Sequence, residues 1–273
     1  MKPLAQDLIN RLDLEAALHQ ERETVRNLLP TEPGLKGLTD NSVKFREWLV
    51  GQLRSGMDIA PNHVVSARKH GVGTRPVPIV GIPGRVLYRA LTEELLRDRP
   101  SVDRTQEAYS EFVAAPVMYA RELDSGDAGW KIGQSGITHV VKSDLAAFYE
   151  YVDHEILIRE LLAVSPDFDA ADALRELLYE MEGRTFGLPQ LLDPSDELSD
   201  LYADIVERGL LREGFQTWRF NDDFRIASAS YSEALRAIEA LGRHARHLGL
   251  VIVNTRPSHQ LSGIMPSTLW GWG

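Results

Sequence analysis

Three carboxylates stand out in this sequence by the company they keep. Asp144 ends an apolar run, His-Val-Val-Lys-Ser-Asp, at the point where a strand would leave its sheet. Asp222 and Asp223 lie between two alternating runs, Trp218/Phe220 and Phe224/Ile226, so that Asn221-Asp222 reads as the two-residue tip of a hairpin. Acids at a strand end and at a hairpin tip can meet at one sheet edge, however far apart they are in the chain. Converging carboxylates repel one another unless they are protonated or bridged by a cation. An all-oxygen donor set, in a chain with no Cys and no clustered His, suits Mg²⁺ or Mn²⁺ rather than zinc. Two such ions would activate an attacking hydroxyl and stabilise a leaving phosphate. The same residues also have plain structural uses. Asn-Asp is a favoured turn, and Asp144 could cap the segment that follows it.

Composition limits what else the chain can be. Its 273 residues are 43% apolar and 26% charged, which is ordinary for a folded protein and far from a disordered one. Without Cys there are no disulfides, thiol nucleophiles or Cys-ligated metals. Acids interrupt the segment Met1–Leu18 where a signal peptide would stay apolar, and no stretch is long and apolar enough to span a bilayer. The expectation is a soluble, cytoplasmic protein with no membrane partner. A net charge of −10 argues against nucleic acid, but the charge is unevenly spread. Residues 43–104 hold eleven Lys/Arg against six acids, and residues 167–213 hold thirteen acids against four Arg. This predicts a basic region able to meet phosphates, and an acidic one facing solvent or a partner.

The elements that must position the acids follow from periodicity. A helix is predicted over residues 4–29, then a Pro/Gly-rich turn, then a helix from Asp40 or Asn41 to about Leu53. Extended runs at 63–67 and 75–80 precede helical patterns at 84–98 and 107–122. A strand at 137–141 leads to helices at 153–163, 169–182 and 195–213. The Asn221-Asp222 hairpin, a helix at 231–247 and a strand at 250–253 close the series. Strands mixed with helices, several of them in hairpins, predict an α+β fold.

Five segments in this order resemble the reverse transcriptase family, in particular the bacterial type of group II introns, retrons and abortive-infection (phage-defence) systems. KHGVGTRPVPIVGIPGRVLYRAL is similar to the basic finger segment, and VVKSDLAAFYEYVDHEIL to the first catalytic motif. GRTFGLPQLLDPS resembles the Leu-Pro-Gln motif, WRFNDDFRIAS the Asp-Asp hairpin, and HLGLVIVNTRPS the strand that closes the palm. The resemblance implies a right-hand polymerase palm and fingers, an antiparallel palm sheet packed on helices, with the thumb absent. Residues 1–40 would be an N-terminal helical extension, 41–135 mostly fingers and 136–273 mostly palm, intertwined as one domain.

The activity implied is RNA-directed DNA polymerisation, by two-metal nucleotidyl transfer, of deoxynucleoside triphosphates onto a primer. Asp144, Asp222 and Asp223 would be the catalytic acids, holding two Mg²⁺ (or Mn²⁺) ions with the backbone carbonyl of Leu145. Arg75, and Lys69 or Arg68, would grip the triphosphate. Tyr149, beside Phe148, would lie against the sugar and exclude a ribose 2′-OH, and Gln190 would line the nucleotide pocket. The partners implied are an RNA template or DNA product, with a protein supplying thumb or primer. Antiviral defence, with untemplated or protein-primed synthesis, is the role suggested by members of the family. Three departures stand out: Phe220 replaces a Tyr, Leu191 replaces a Gly, and Arg256 is the nearest cation where a Lys is usual. Leu191, the lost Lys and the absent thumb leave a second reading, a catalytically inactive subunit of the same fold that binds RNA or a partner protein.

Overall fold

The computed structural model describes residues 1–24, 32–68, 73–125 and 136–259. In chain order the elements are α1 (Gln6–Arg11), α2 (Leu14–Glu23), α3 (Pro33–Thr39), α4 (Ser42–Ser55), β1 (His63–Arg68) and β2 (Thr74–Ile79). Next come α5 (Ile82–Leu95), α6 (Gln106–Ser125), β3 (His139–Leu145), a 3-10 turn (Phe148–Tyr151), α7 (His154–Val164) and α8 (Phe168–Glu182). The last are α9 (Asp193–Arg212), β4 (Gln216–Phe220), β5 (Asp223–Ser228), α10 (Tyr231–His247) and β6 (Ile252–His259). The strands are antiparallel throughout, in a mixed α/β architecture. The chain forms two compact units, Met1–Val102 with Tyr149–Tyr202, and Asp103–Phe148 with Ala203–Gly273.

In the first unit, α5 is the most deeply buried element and packs against α2 and α8. Val86, Leu87, Tyr88, Ala90 and Leu91 are almost wholly buried, and so are two arginines on the same helix, Arg85 and Arg89. Both guanidiniums meet Glu21 of α2, at 3.0 and 2.9 Å, and that carboxylate is itself 2% exposed. Arg85 also reaches Glu32 at 2.6 Å, and Arg89 reaches Asp193 at 2.8 Å. Burying these charges is tolerable because each has a partner of opposite sign with good geometry.

These pairs correct the charge reading. Arg97 is bound to Glu94 and Arg99 to Asp200 at 2.9 Å, so much of the basic excess of 43–104 is spent inside the unit. Part of the acidic excess of 167–213 is its counterpart, since Asp193, Asp200 and Asp167 each hold an arginine. Charges polarised along the sequence are largely neutralised in space.

Two helical readings also change. The predicted helix over 4–29 breaks at Leu12–Asp13, because the Asp13 carboxylate accepts a hydrogen bond from Ala16 N and caps a new helix, α2. The predicted turn at Pro33 is the start of α3, where proline's missing N–H costs nothing.

The second unit is built on a four-stranded sheet in the order β4-β5-β3-β6. Alternation along β3 and β5 gives the sheet two characters. Val141, Ser143 and Leu145, with Phe224 and Ile226, are buried, and α10 packs against β3, β5 and β6. Lys142, Asp144, Asp223 and Arg225 occupy the alternate positions and stay half-exposed. Helix α6 packs against β4 and β5. Strand β3 runs further than the predicted 137–141, so Asp144 lies within its last paired residues. Strand β6 starts and ends later than the predicted 250–253. Among the described residues, no helix is long and apolar enough to cross a membrane.

Candidate active site

The β4–β5 hairpin turns as its sequence predicts, with Phe220 paired to Asp223 across a tip of Asn221-Asp222. Asn221 adopts φ 56°, a left-handed conformation that Asn tolerates better than most residues. Arg219 fixes the tip from behind. Its guanidinium donates to the Asn221 carbonyl at 3.1 Å and pairs with Glu207, at 3.1 Å, and Asp204 of α9.

The register of β3 on β5 then decides where the acids meet. Asp144 pairs directly with Asp223, and residues opposite one another in an antiparallel ladder share a face. Leu145 N donates to the Asp222 carbonyl at 3.1 Å, which draws the third acid to the same corner. Acids from two distant segments thus converge.

The electrostatics register that convergence. Burial, and secondarily the Asp222 charge, push the Asp144 carboxyl above the usual carboxylate range. Burial, then Asp222 and Asp144, push Asp223 up to about 6, and only Arg225 opposes the shift. Asp144 Oδ1 is buried without a hydrogen-bond partner, which is costly unless something absent from the protein alone completes it. Among the described residues, no group of three His, Asp or Glu side chains is placed to hold a metal ion. The donors that Asp144, Asp222 and Asp223 offer are all oxygen, the chemistry that Mg²⁺ or Mn²⁺ prefers.

The remaining predicted residues fall as follows. Phe148 is 3% exposed, a core ring rather than an open surface. Tyr149 is half-buried, and its hydroxyl donates to Asp196 Oδ1 at 2.6 Å. Gln190 is half-exposed in the turn before α9. Leu188 N, in the same turn, donates to the Tyr149 carbonyl at 2.7 Å, so the Tyr149 and Leu-Pro-Gln segments adjoin. Ser195, five residues past Gln190, is fully buried. Its hydroxyl donates to Pro189 O at 2.6 Å and shares a 2.9 Å hydrogen bond with Tyr88. Arg75 is exposed on β2, in line with Ala67 of β1, and Lys69 lies outside the described residues.

Among the described residues, the non-glycine positions with left-handed backbone are Ala147, Asn221 and Leu191, at φ 47°, 56° and 64°. Each adjoins a predicted site residue, and strain of this kind gathers at functional sites. The Leu191 backbone is one that Gly would adopt without strain.

Sequence reading missed the residues that brace the hairpin. Tyr109 and Phe112 of α6 hold the Phe220 ring at 5.3 and 5.9 Å, and Arg225 lies 5.1 Å over Phe112. Their i, i+3 spacing was the available signal for an aromatic face. Asp196 was also missed, because nothing local marks it as the partner of Tyr149.

No protein-family model matches the sequence, and no curated protein matches it. Among solved structures, the chain is similar to apo telomerase from Candida tropicalis truncated from its C-terminal domain. The identity is 12% and the TM-score 0.46, over 75% of this chain and 50% of that one. It is also similar to telomerase from Candida albicans in complex with the TWJ fragment of telomeric RNA. Here the identity is 14% and the TM-score 0.48, over 74% of this chain and 43% of that one. The chain therefore spans half or less of these proteins. At this level of likeness, its function has to be read from its own site.

Proposed function

We propose that the chain is a nucleotidyltransferase of the reverse-transcriptase type, which adds deoxynucleotides to a primer along an RNA template. In this reading the four-stranded sheet is the palm, and the β1–β2 hairpin belongs to the fingers. The observation that carries it is the in-register meeting of Asp144 and Asp223 beside Asp222, with Asp144 Oδ1 left unsatisfied. A purely structural subunit has no use for mutually repelling, half-buried acids, whereas metal-assisted phosphoryl chemistry needs them.

Asp144 and Asp222, with the Leu145 carbonyl and Asp223 beside them, would hold Mg²⁺ or Mn²⁺. The bound ions would supply neutralisation of the phosphates and a more acidic primer hydroxyl. The protein's own share is positioning. Arg75 offers a fixed fork of donors to the β- and γ-phosphate oxygens. By the resemblance, Tyr149 would meet the sugar and Gln190 the nucleotide. Arg219 and the Phe220–Phe112–Tyr109 cluster keep the acid-bearing tip from swinging.

The test is incorporation of labelled deoxynucleotides on RNA and DNA templates with Mg²⁺ or Mn²⁺. Activity is expected from the native chain and none from the Asp144→Ala/Asp222→Ala double variant; activity that survives in the double variant refutes the assignment. A non-catalytic subunit that binds RNA or a partner protein is the second reading. One observation favours it: Leu191 places a bulky side chain on a strained backbone directly after Gln190.

A further inference from the structure

The sheet of the second unit sorts its charges by rung. Asp144 lies directly opposite Asp223, and one rung back along the same strands Lys142 lies directly opposite Arg225. Arg256 of β6 occupies the register position on the other side of Lys142. Residues opposite one another share a face, and like charges so placed destabilise a sheet. Exchanging Lys142 with Asp144 would give two rungs of opposite charge instead, so the sheet alone does not require the sorting. Lys142 is half-buried, and among the described residues no carboxylate pairs with it. Burial, and secondarily the Arg225 charge, push it below the ordinary lysine value. Arg225 is held by α6, where its guanidinium lies 5.1 Å over the Phe112 ring and hydrogen-bonds the Tyr109 side chain. Those aromatic partners fix its position and leave its charge in place.

We propose that the Lys142–Arg225 rung, with Arg256 beside it in register, seats a backbone phosphate of a nucleic-acid strand, so that a strand end and not a protein hydroxyl primes synthesis. The inference rests on the nucleotidyl-transfer reading above and names the class of primer that site takes. Two residues of strand set the cation rung about 7 Å from the acid rung, a span that one nucleotide covers between its terminal hydroxyl and its own phosphate. A strand whose terminal hydroxyl lies at the acids therefore lays its last phosphodiester over Lys142 and Arg225. The guanidinium offers that group a fork of donors and the ammonium a point charge. Contacts to phosphate position a strand without reading its bases, so the rung serves any sequence. A serine or tyrosine hydroxyl presented by a protein brings no phosphate and leaves the cations facing one another.

The experiment measures binding and extension of a short DNA primer annealed to an RNA template, over a series of salt concentrations, by the native chain, Lys142→Gln and Lys142→Arg. A second primer carries an uncharged methylphosphonate at its last linkage. Lys142→Gln is expected to bind the ordinary primer about tenfold more weakly, the worth of one charge-assisted contact. Its slope of log K against log salt should be shallower by about one. Lys142→Arg keeps the cation and should keep both. The native chain should lose at least as much on the methylphosphonate primer. Lys142→Gln should lose less than the native chain on that change of primer, because the two changes remove a shared contact. The methylphosphonate arm uses the native chain and stands whether or not the variants fold. Equal affinity for the two primers, in a native chain that extends the ordinary one, overturns the inference and leaves the polymerase reading standing. Label joined to the chain itself, with no strand extended, does the same. A native chain that neither binds the primer nor incorporates deoxynucleotides overturns both.

Discussion

Two groups of carboxylates, one in each unit, keep opposite company. In the first unit Glu21, Asp193 and Asp200 each face a guanidinium at 2.8–3.0 Å. In the second, Asp144, Asp222 and Asp223 face one another, and the charge that relieves Asp223 is the single Arg225. The first arrangement staples helices. Glu21 ties α2 to α5, and Asp193 ties α9 to α5. The second stores repulsion at a sheet corner, braced by register, by Arg219 and by an aromatic cluster. Residues of the same type therefore staple helices in one group and repel one another in the other.

That contrast predicts effects of opposite sign. Removing a paired acid should be the largest. Glu21→Ala leaves two buried arginines without their shared counter-ion and should destabilise the chain by about 3–5 kcal/mol in denaturant unfolding. Removing a clustered acid should do the reverse. Asp223→Asn should stabilise the chain at pH 7 by about 1–2 kcal/mol, the shift being discounted for its partial exposure.

The pH dependence follows from the direction of that shift. The folded state raises the Asp223 value to about 6, so it binds the proton more tightly than the unfolded chain does. Asp223 therefore costs stability above about pH 6. That cost fades as the pH falls toward the ordinary carboxylate value, and the advantage of Asp223→Asn should fade with it. If Glu21→Ala and Asp223→Asn shift stability in the same direction, the contrast is wrong.

The smallest effect is expected at the strained turn. Leu191→Gly relieves a left-handed leucine, partly offset by the extra freedom of glycine in the unfolded chain. It should stabilise by about 0.5–1 kcal/mol in the same assay.

What the sequence showed, and what it hid, divides along the same physical line. The β4–β5 hairpin was legible because alternation and Asn-Asp turn chemistry are local. The meeting of Asp144 with the hairpin acids was foreseeable in kind, although only strand register specifies Asp223 as its partner. Long-range pairing was hidden. Arg89 reads as surface charge until Glu21, 68 residues away, arrives beside it. Tyr149 reads as one of two adjacent aromatics until Asp196 accepts its hydroxyl. The break at Asp13 was missed for a local reason: the apolar period carries through it, and the cap wins.

The central claim is that the Asp144–Asp222–Asp223 corner is a metal-dependent site for nucleotide chemistry. Its most direct test is anomalous diffraction at the manganese edge, from crystals of the full chain soaked with Mn²⁺ and a non-hydrolysable deoxynucleoside triphosphate. The account predicts manganese at the Asp144 and Asp222 carboxylates, with the triphosphate alongside. Well-ordered carboxylates with no manganese between them, in crystals that have taken up the nucleotide, would contradict it.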